Sequence, residues 1–278
     1  MENRRVVGDC MTVVRVALAQ TNVVLGNKQA NMDRVGEVVF EASGKGAKVV
    51  CLPEMFSTGF DKKVLSGLAE PVPGPTTEAL RLLASKHGLM IAGSIVEKGT
   101  EGLYNTAVLV GGNGVVLKHR KVHPFLEEAE LVGGGSAYET KETPLGKCGL
   151  LVCYDAAFPE AARALALDGA QIIFLPSNWM EPFLGQWRLA TSARALDNQV
   201  WVVAVNRVGT DGTYNYFGHS RVVDPYGNVV VECGSGEEIA VADMELGKAG
   251  EFKKIVDFMG DRKPATYGAV VRENQPHK

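Results

Sequence analysis

Short apolar runs alternate along the chain with segments in which apolar residues recur every three or four positions. The largely apolar run Val13–Gln20 is typical of a buried strand, and residues 29–43 follow a helical period that ends at Gly44 and Gly46. A β-branched run follows at residues 48–52. This β-α-β order predicts neighbouring strands of one sheet with a covering helix.

The same alternation continues to residue 206 and then gives way to strands and turns. Two predicted strands flank a Gly-rich turn at 111–114, and because no GK[ST] follows, the turn indicates a hairpin and not a phosphate loop. The sequence has no linker long or polar enough to divide it into domains. Residues 13–246 are therefore predicted to form one α/β domain, between an N-terminal leader (1–12) and a charged C-terminal tail (247–278). Two further helices are predicted over 76–87 and 185–198, and a third is predicted to begin near Glu160. The other predicted strands cover 89–95, 104–110, 115–118, 171–176, 200–206, 218–223, 228–233 and 238–244.

Composition narrows the class of protein. The 278 residues are 46% hydrophobic and 22% charged with a net charge of −3, which argues against nucleic acid or an anionic membrane as the main partner. No apolar run approaches the roughly 18 residues of a membrane span, and a signal peptide is not apparent. The five cysteines are scattered without a CxxC pair, as expected for free thiols in a reducing compartment. We therefore expect a cytoplasmic protein.

Chemistry is first suggested by the apolar run 149–152, which ends in Cys153 shortly before the predicted helix near Glu160. The free N–H groups and dipole at a helix start favour negative charge, so this position is expected to lower the pKa of the Cys153 thiol. A buried structural cysteine explains the same pattern, because free cysteine is among the most buried residue types. The stretch alone leaves both interpretations open.

Two further residues offer what a cysteine nucleophile needs. Glu54 lies at the carboxyl end of a predicted strand, where sites of α/β sheets gather, and its apolar neighbours Leu52 and Phe56 disfavour the charged form. Lys121 follows another strand and could hold an oxyanion. Taken singly, an exposed carboxylate and a surface lysine are the simpler interpretations.

Taken in order, these residues lie in motifs that carry a family resemblance. The motifs are Leu52-Pro53-Glu54, Arg120-Lys121-Val122-His123, and Cys153-Tyr154-Asp155 with Phe158-Pro159-Glu160. Their order and contexts resemble the nitrilase superfamily of carbon–nitrogen hydrolases, from about Val13 to Tyr267. The resemblance implies that Glu54 is the general base, Lys121 the oxyanion stabiliser and Cys153 the nucleophile. It also implies a four-layer α-β-β-α sandwich whose subunits pair, with the C-terminal tail at a subunit interface.

Members of this superfamily often carry a second active-site glutamate after the lysine, seven residues before a glycine. Glu128 has this spacing to Gly135, while Glu127 and Glu130 lie near enough to remain alternatives. The segment reads Gly-Gly-Gly at 133–135 where the family usually has Pro-Gly, so the assignment of Glu128 depends on spacing alone.

The resemblance implies hydrolysis of a small amide through a cysteine thioester, releasing ammonia and a carboxylic acid with no cofactor and no metal. Cys-Tyr-Asp followed by Phe-Pro-Glu is similar to amidase-type members, including ω-amidases of dicarboxylate monoamides, while nitrile and N-carbamoyl-amine hydrolysis by the same triad stay open. The backbone N–H of Tyr154 is expected to bind the oxyanion, and Asn178, Trp179 and Phe183 are candidates for lining the pocket. The expected partners are the amide and other copies of the chain.

Three other interpretations remain. Cys153 could pair with His119, His123 or His219 in a papain-like arrangement. His119 and His123 are also spaced like a metal-binding pair, although no HExxH motif is present. A binding scaffold without catalysis is the alternative from another class, which the intact Glu-Lys-Cys set disfavours.

Overall fold

The computed structural model describes residues 12–272. Of the predicted leader, residues 1–11 lie outside the described residues, and so does Cys10. The strands are β1 Val13–Gln20, β2 Val49–Cys51, β3 Met90–Lys98, β4 Leu103–Gly111, β5 Gly114–Arg120, β6 Thr140–Thr143, β7 Gly146–Leu150, β8 Ile172–Ser177, β9 Trp201–Asn206, β10 Val208–Thr210, β11 Asn215–Phe217, β12 Arg221–Val223, β13 Val229–Glu232 and β14 Glu238–Glu245. The α-helices are α1 Lys28–Gly44, α2 Leu65–Leu68, α3 Pro75–His87, α4 Pro159–Leu167, α5 Leu184–Asn198 and α6 Gly247–Ile255.

Twelve of these strands form two six-stranded sheets that share one orientation pattern. The first has the order β14-β1-β2-β3-β4-β5 and the second β13-β12-β9-β8-β7-β6. In each, three consecutive strands run parallel, β1-β2-β3 and β7-β8-β9, and the flanking strands are antiparallel. Helices α1 and α3 connect the parallel strands of the first sheet, and α4 and α5 those of the second, as parallel crossovers require.

Alternating side chains of the strands build three apolar layers. In β1, Val16 and Leu18 face the second sheet while Ala17 packs towards α1 and α3. In β8, Phe174 joins the layer between the sheets, and Ile173 packs against α4 and α5. Burial of such a side chain contributes roughly 1.5–3 kcal/mol, so the layers hold the sheets face to face. The predicted four-layer α-β-β-α sandwich is confirmed.

In the last third of the chain, one predicted strand was too long and one helix was missed. The strand predicted over 218–223 is reduced to β12, because Gly218 and His219 have φ values of 73° and 55°, which do not fit a strand. Helix α6 was not predicted, because it buries no residue and so has no apolar period in the sequence. Among the helices of residues 12–272, none has the length and apolar character needed to cross a membrane.

Candidate active site

Glu54, Lys121 and Cys153 come together from both sheets of the sandwich. Glu54 follows β2, Lys121 directly follows β5 and Cys153 follows β7. The exposed fractions of these residues are 4%, 1% and 7%. Since buried charges are stable only when paired, their hydrogen bonds determine what the cluster can do.

Lys121 lies between two carboxylates that also share an amide. The Lys121 Nζ donates to Glu54 Oε1 at 2.8 Å and to Glu128 Oε2 at 2.6 Å. The Asn105 Nδ2 donates to Glu54 Oε1 and to Glu128 Oε1, both at 2.7 Å. These four side chains form a closed ring of hydrogen bonds. Because an ammonium has three N–H groups and two are used, one remains for a substrate oxygen.

Asn105 is itself held by a chain of buried hydrogen bonds. The Ser94 Oγ donates to Asn105 Oδ1 at 2.8 Å, and the Met55 N–H donates to Ser94 Oγ at 2.8 Å. This orientation leaves the amide N–H groups of Asn105 directed at the two carboxylates. Sequence reasoning missed Asn105 and Ser94, and the one available signal was a polar residue inside an apolar strand, which needs a buried partner.

Of the three candidate glutamates, the structure brings Glu128 into the ring. Its Oε2 also accepts the Phe125 N–H at 2.9 Å, at the start of a 3₁₀ turn over Leu126–Glu130. Glu127 and Glu130 point outwards and bind Lys62 at 3.0 Å and 3.2 Å. Position within one short turn therefore separates the buried carboxylate from its exposed neighbours.

Gly135 ties this loop to the strand that carries Lys121. Its N–H donates to the Lys121 carbonyl at 2.8 Å. A Cβ at Gly135 would lie 2.1 Å from the Arg120 carbonyl oxygen, so a larger residue does not fit without movement of the backbone. The glycine at this spacing is thus a requirement of close backbone approach.

Cys153 sits on a strained turn between β7 and α4. Its φ is 47°, a left-handed conformation uncommon for residues other than glycine, and it opens the 3₁₀ turn Cys153–Ala157. The turn presents the thiol at the carboxyl end of the strand, where Cys153 and Glu54 line the same cavity. Met55, the residue after Glu54, also has a positive φ of 45°.

Asp155 fastens this turn to the segment after Lys121. Its Oδ1 accepts the N–H groups of Val122 at 3.2 Å and of His123 at 3.1 Å, and the His123 Nδ1 at 2.9 Å. Its Oδ2 accepts the Val152 N–H at 3.1 Å and the His119 Nε2 at 3.0 Å. Burial alone would raise the pKa of Asp155, but the bonds from His119 and His123 outweigh it and hold that pKa well below its usual range.

The three histidines considered as partners of Cys153 each bind a carboxylate. His119 and His123 direct their rings at Asp155, and His219 binds Glu232 at 3.1 Å. Within residues 12–272 there is no group of three or more His, Cys, Asp or Glu side chains suited to a metal ion. The structure thus offers a glutamate, and not a histidine, beside the thiol.

The electrostatics contradict the expectation of a lowered thiol pKa. Burial and the nearby Glu54 hold the pKa of Cys153 well above its usual value, and Lys121 and the Asn178 N–H oppose this without overcoming it. Burial also raises the pKa of Glu54; Lys121 opposes the rise and Glu128 adds to it. Burial would lower the pKa of Lys121, but Glu54 and Glu128 raise it well above its usual value. The resting thiol is therefore protonated and needs a base.

Two cavities open at Cys153. The smaller, of about 60 Å³, reaches Glu54, Lys121 and Glu128. The larger, of about 310 Å³, is lined by Tyr154 and Trp179. Asn178 and Cys153 line both cavities, so every residue predicted for the site lies in this region. Sequence reasoning did not select other residues that line the smaller cavity, namely Phe60, Phe125, Leu126, Met180, Tyr214 and Tyr216.

A family model described as carbon-nitrogen hydrolase matches residues 15–254. Omega-amidase NIT2 of Xenopus tropicalis is 34% identical over 277 residues, covering 95% of this chain and 100% of the relative. A nitrilase of Pyrococcus abyssi is 32% identical over 263 residues, covering 92% and 99%.

Solved structures show the same architecture. Nit3 of Saccharomyces cerevisiae, from branch 10 of the nitrilase superfamily, superposes with a TM-score of 0.84 at 32% identity, covering 90% of this chain and 97% of that one. A mutant amidase of Nesterenkonia sp. AN1, with acrylamide added at its active-site cysteine, superposes with a TM-score of 0.83 at 25% identity, covering 93% and 100%.

Proposed function

Because the chain belongs to the carbon–nitrogen hydrolase family, we propose that it hydrolyses a small linear amide to ammonia and a carboxylic acid through a thioester on Cys153. The observation that carries this proposal is the buried ring of Glu54, Lys121, Glu128 and Asn105 beside a thiol on a strained turn. Relatives named omega-amidase and a structural neighbour named amidase support an amide as the substrate.

In the first half-reaction the Cys153 sulfur attacks the amide carbonyl carbon while Glu54 takes the thiol proton. The remaining N–H of Lys121 and the backbone N–H of Tyr154 bind the developing oxyanion, and removing one such donor typically costs about 10²–10³ in rate. When the tetrahedral intermediate collapses, Glu54 returns its proton to the nitrogen, the C–N bond breaks and ammonia leaves. The acyl group remains on sulfur as a thioester.

In the second half-reaction water attacks the thioester carbonyl and Glu54 takes a proton from it. The C–S bond then breaks, and Glu54 passes the proton to the departing sulfur of Cys153, which restores the starting state. The raised pKa of Glu54 suits a group that must accept and release a proton near neutral pH. Glu128 acts through Lys121, because its carboxylate fixes the ammonium and leaves one N–H directed at the substrate.

The test compares Cys153→Ala with Cys233→Ala, a buried cysteine outside the site. We expect Cys153→Ala to lose ammonia release by at least about 10³-fold, and mass spectrometry of the wild type to trap an acyl adduct on Cys153. Cys233→Ala should keep activity and adduct. Full ammonia release by Cys153→Ala would contradict the proposal, and so would turnover of nitriles or N-carbamoyl compounds but of no amide.

We also propose that residues 247–278 contact a neighbouring subunit of a homo-oligomer. The described part of this tail exposes Ile255, Val270 and Val271, with exposed fractions of 74%, 58% and 86%. Light scattering that finds only monomers would contradict this.

We further propose that the protein is located in the cytoplasm. The free cysteines Cys51, Cys148, Cys153 and Cys233 support a reducing compartment, and cell fractionation tests this location.

A further inference from the structure

The two cavities at Cys153 divide the substrate into a reacting end and an acyl end. The smaller cavity contains Glu54, Lys121 and Glu128, which the proposed chemistry needs around the amide nitrogen and the carbonyl oxygen. The larger cavity begins at the same sulfur and holds none of the three. A carbonyl carbon bound at Cys153 therefore directs its acyl group into the larger cavity.

Charges around the smaller cavity oppose a second negative group. The carboxylates of Glu54 and Glu128 bind the single ammonium of Lys121, and the third carboxylate at this cavity, that of Glu127, is paired with Lys62 at the surface. Even with Glu54 protonated, the carboxylate of Glu128 balances the ammonium of Lys121, so no positive charge is left for a second carboxylate. Two of the three N–H groups of Lys121 are bound to carboxylates, and the oxyanion takes the third.

Apart from Lys121, the positively charged side chains of Lys62 and Arg207 do not line this cavity. Lys62 bridges Glu127 and Glu130 at the surface, at 3.0 Å and 3.2 Å. The guanidinium of Arg207 stacks on the Tyr216 ring at 4.5 Å, but Arg207 does not itself line the cavity. Its Nη2 donates to the Val23 carbonyl at 2.8 Å. The Nε and Nη1 of Arg207 are buried without a hydrogen-bond partner among the residues that the structure describes, but because neither Arg207 nor Lys62 lines the cavity, neither side chain presents a charged nitrogen at its wall.

The larger cavity has a mainly apolar wall, to which Asn178 and Gln186 add uncharged amide groups. Its main lining side chains are those of Phe125, Tyr154, Trp179, Met180 and Phe183. Within residues 12–272, which the structure describes, no lysine, arginine or histidine lines this cavity. A carboxylate entering this cavity would lose hydration without gaining a cationic partner, and such burial is strongly unfavourable.

We propose that the enzyme selects amides whose acyl group is uncharged and apolar or aromatic, and that it discriminates against dicarboxylate monoamides. This inference rests on the proposed amidase function. It assigns the larger cavity as the acyl subsite, with Phe125, Trp179 and Met180 as the residues that determine specificity.

The test compares amides that differ in a single group. Succinamide carries an uncharged amide at the far end of its acyl group, where succinamate carries a carboxylate. The third compound, 3-phenylpropanamide, has an aromatic acyl group. We expect kcat/KM for succinamide, per amide group, to exceed that for succinamate by on the order of 10²-fold, with 3-phenylpropanamide better than both. Equal or faster turnover of succinamate would overturn the inference and leave the amidase proposal intact. Ammonia from none of the three would overturn both.

A charge introduced at the rim tests the assignment of the acyl subsite. Gln186 lines the larger cavity and is exposed. Gln186→Arg should raise the succinamate-to-succinamide ratio of kcat/KM by about 5-fold, as expected for an exposed ion pair. Gln29→Arg places the same charge on α1, away from both cavities, and should leave the ratio unchanged. A ratio that responds equally to both variants, or to neither, would contradict the location of the acyl group.

Discussion

The substitution Asp155→Asn tests whether a buried carboxylate positions the nucleophile. Asp155 accepts five hydrogen bonds, three at Oδ1 and two at Oδ2. An asparagine of nearly the same shape keeps its oxygen where three donors converge and so places its NH₂ at the Oδ2 position. There it meets the Val152 N–H, donor against donor. His119 can adapt by accepting through its other tautomer, because its Nδ1 has no partner.

The expected loss of stability follows from these contacts. An orphaned buried N–H costs roughly 1–3 kcal/mol, and each bond that loses its charged acceptor weakens by about 1 kcal/mol. Removing a buried charge returns part of this, because that charge no longer has to be desolvated. We therefore expect the free energy of unfolding to fall by roughly 3–5 kcal/mol, within the range for breaking a buried ion pair.

Activity should fall beyond what the loss of stability explains. The Val152 N–H precedes Cys153, whose φ of 47° is maintained by the turn that Asp155 closes. At a temperature where the variant is fully folded, we expect kcat/KM to fall by about 10²-fold, because a misplacement of about 1 Å has this effect. Alkylation of Cys153 by iodoacetamide should slow as well. Unchanged kcat/KM and alkylation in a destabilised variant would refute a positioning role.

A matched control and a pH series complete this experiment. Asp168→Asn removes an exposed carboxylate that binds Thr140, and its unfolding midpoint should match the wild type. The pKa of Asp155 is depressed in the folded state, so its stabilisation is complete above its ordinary pKa of about 3.9 and is lost as pH falls through the folded value. The difference in unfolding free energy between wild type and Asp155→Asn should therefore be constant near neutral pH and shrink below about pH 4.

Two further predictions concern the base and the loop glycine. Glu54→Gln should lower kcat by about 10²–10⁴-fold, because the proposed base is lost. It should also move the pH midpoint of Cys153 alkylation downwards, because Glu54 raises the thiol pKa. An unchanged midpoint would contradict this electrostatic account. Gly135→Ala should lower the free energy of unfolding by about 3 kcal/mol, because its Cβ meets the Arg120 carbonyl oxygen. As a control, Gly36→Ala in the open middle of α1 should raise the free energy of unfolding by about 0.5–1 kcal/mol. Denaturant unfolding that ranks the two variants the other way would refute the clash.

The positions of Glu54, Lys121 and Cys153 could be predicted from the sequence because each follows a strand that its own residues define. Apolar runs before Glu54 and Cys153 locate the carboxyl ends of β2 and β7, where α/β sites gather. The family resemblance then supplied the order of the three motifs. The four-layer fold followed from the same resemblance, and the alternating faces of β1 and β8 explain it.

Asn105 and Asp155 could not be predicted in the same way, because their partners are remote in sequence. Asn105 bonds residues 51 and 23 positions away, and Asp155 bonds His119 across 36 positions. No local pattern encodes which polar residue of an apolar strand meets which carboxylate. The short turn at Leu126–Glu130 shows the same limit, since spacing named Glu128 but only its burial separates it from Glu127.

The pKa of Cys153 shows most clearly why local reasoning was insufficient. A helix start favours a thiolate, yet Cys153 belongs to the apolar layer between the two sheets, where burial and the nearby Glu54 hold its pKa well above its usual value. The same desolvation raises the pKa of Glu54. A raised pKa makes Glu54 a stronger base than an exposed carboxylate, but the thiol pKa rises as well, so in the proposed mechanism the proton leaves sulfur as the sulfur attacks the carbonyl and not at rest. The position of the site between the sheets thus disfavours a resting thiolate and makes the attack of Cys153 depend on the neighbouring carboxylate of Glu54.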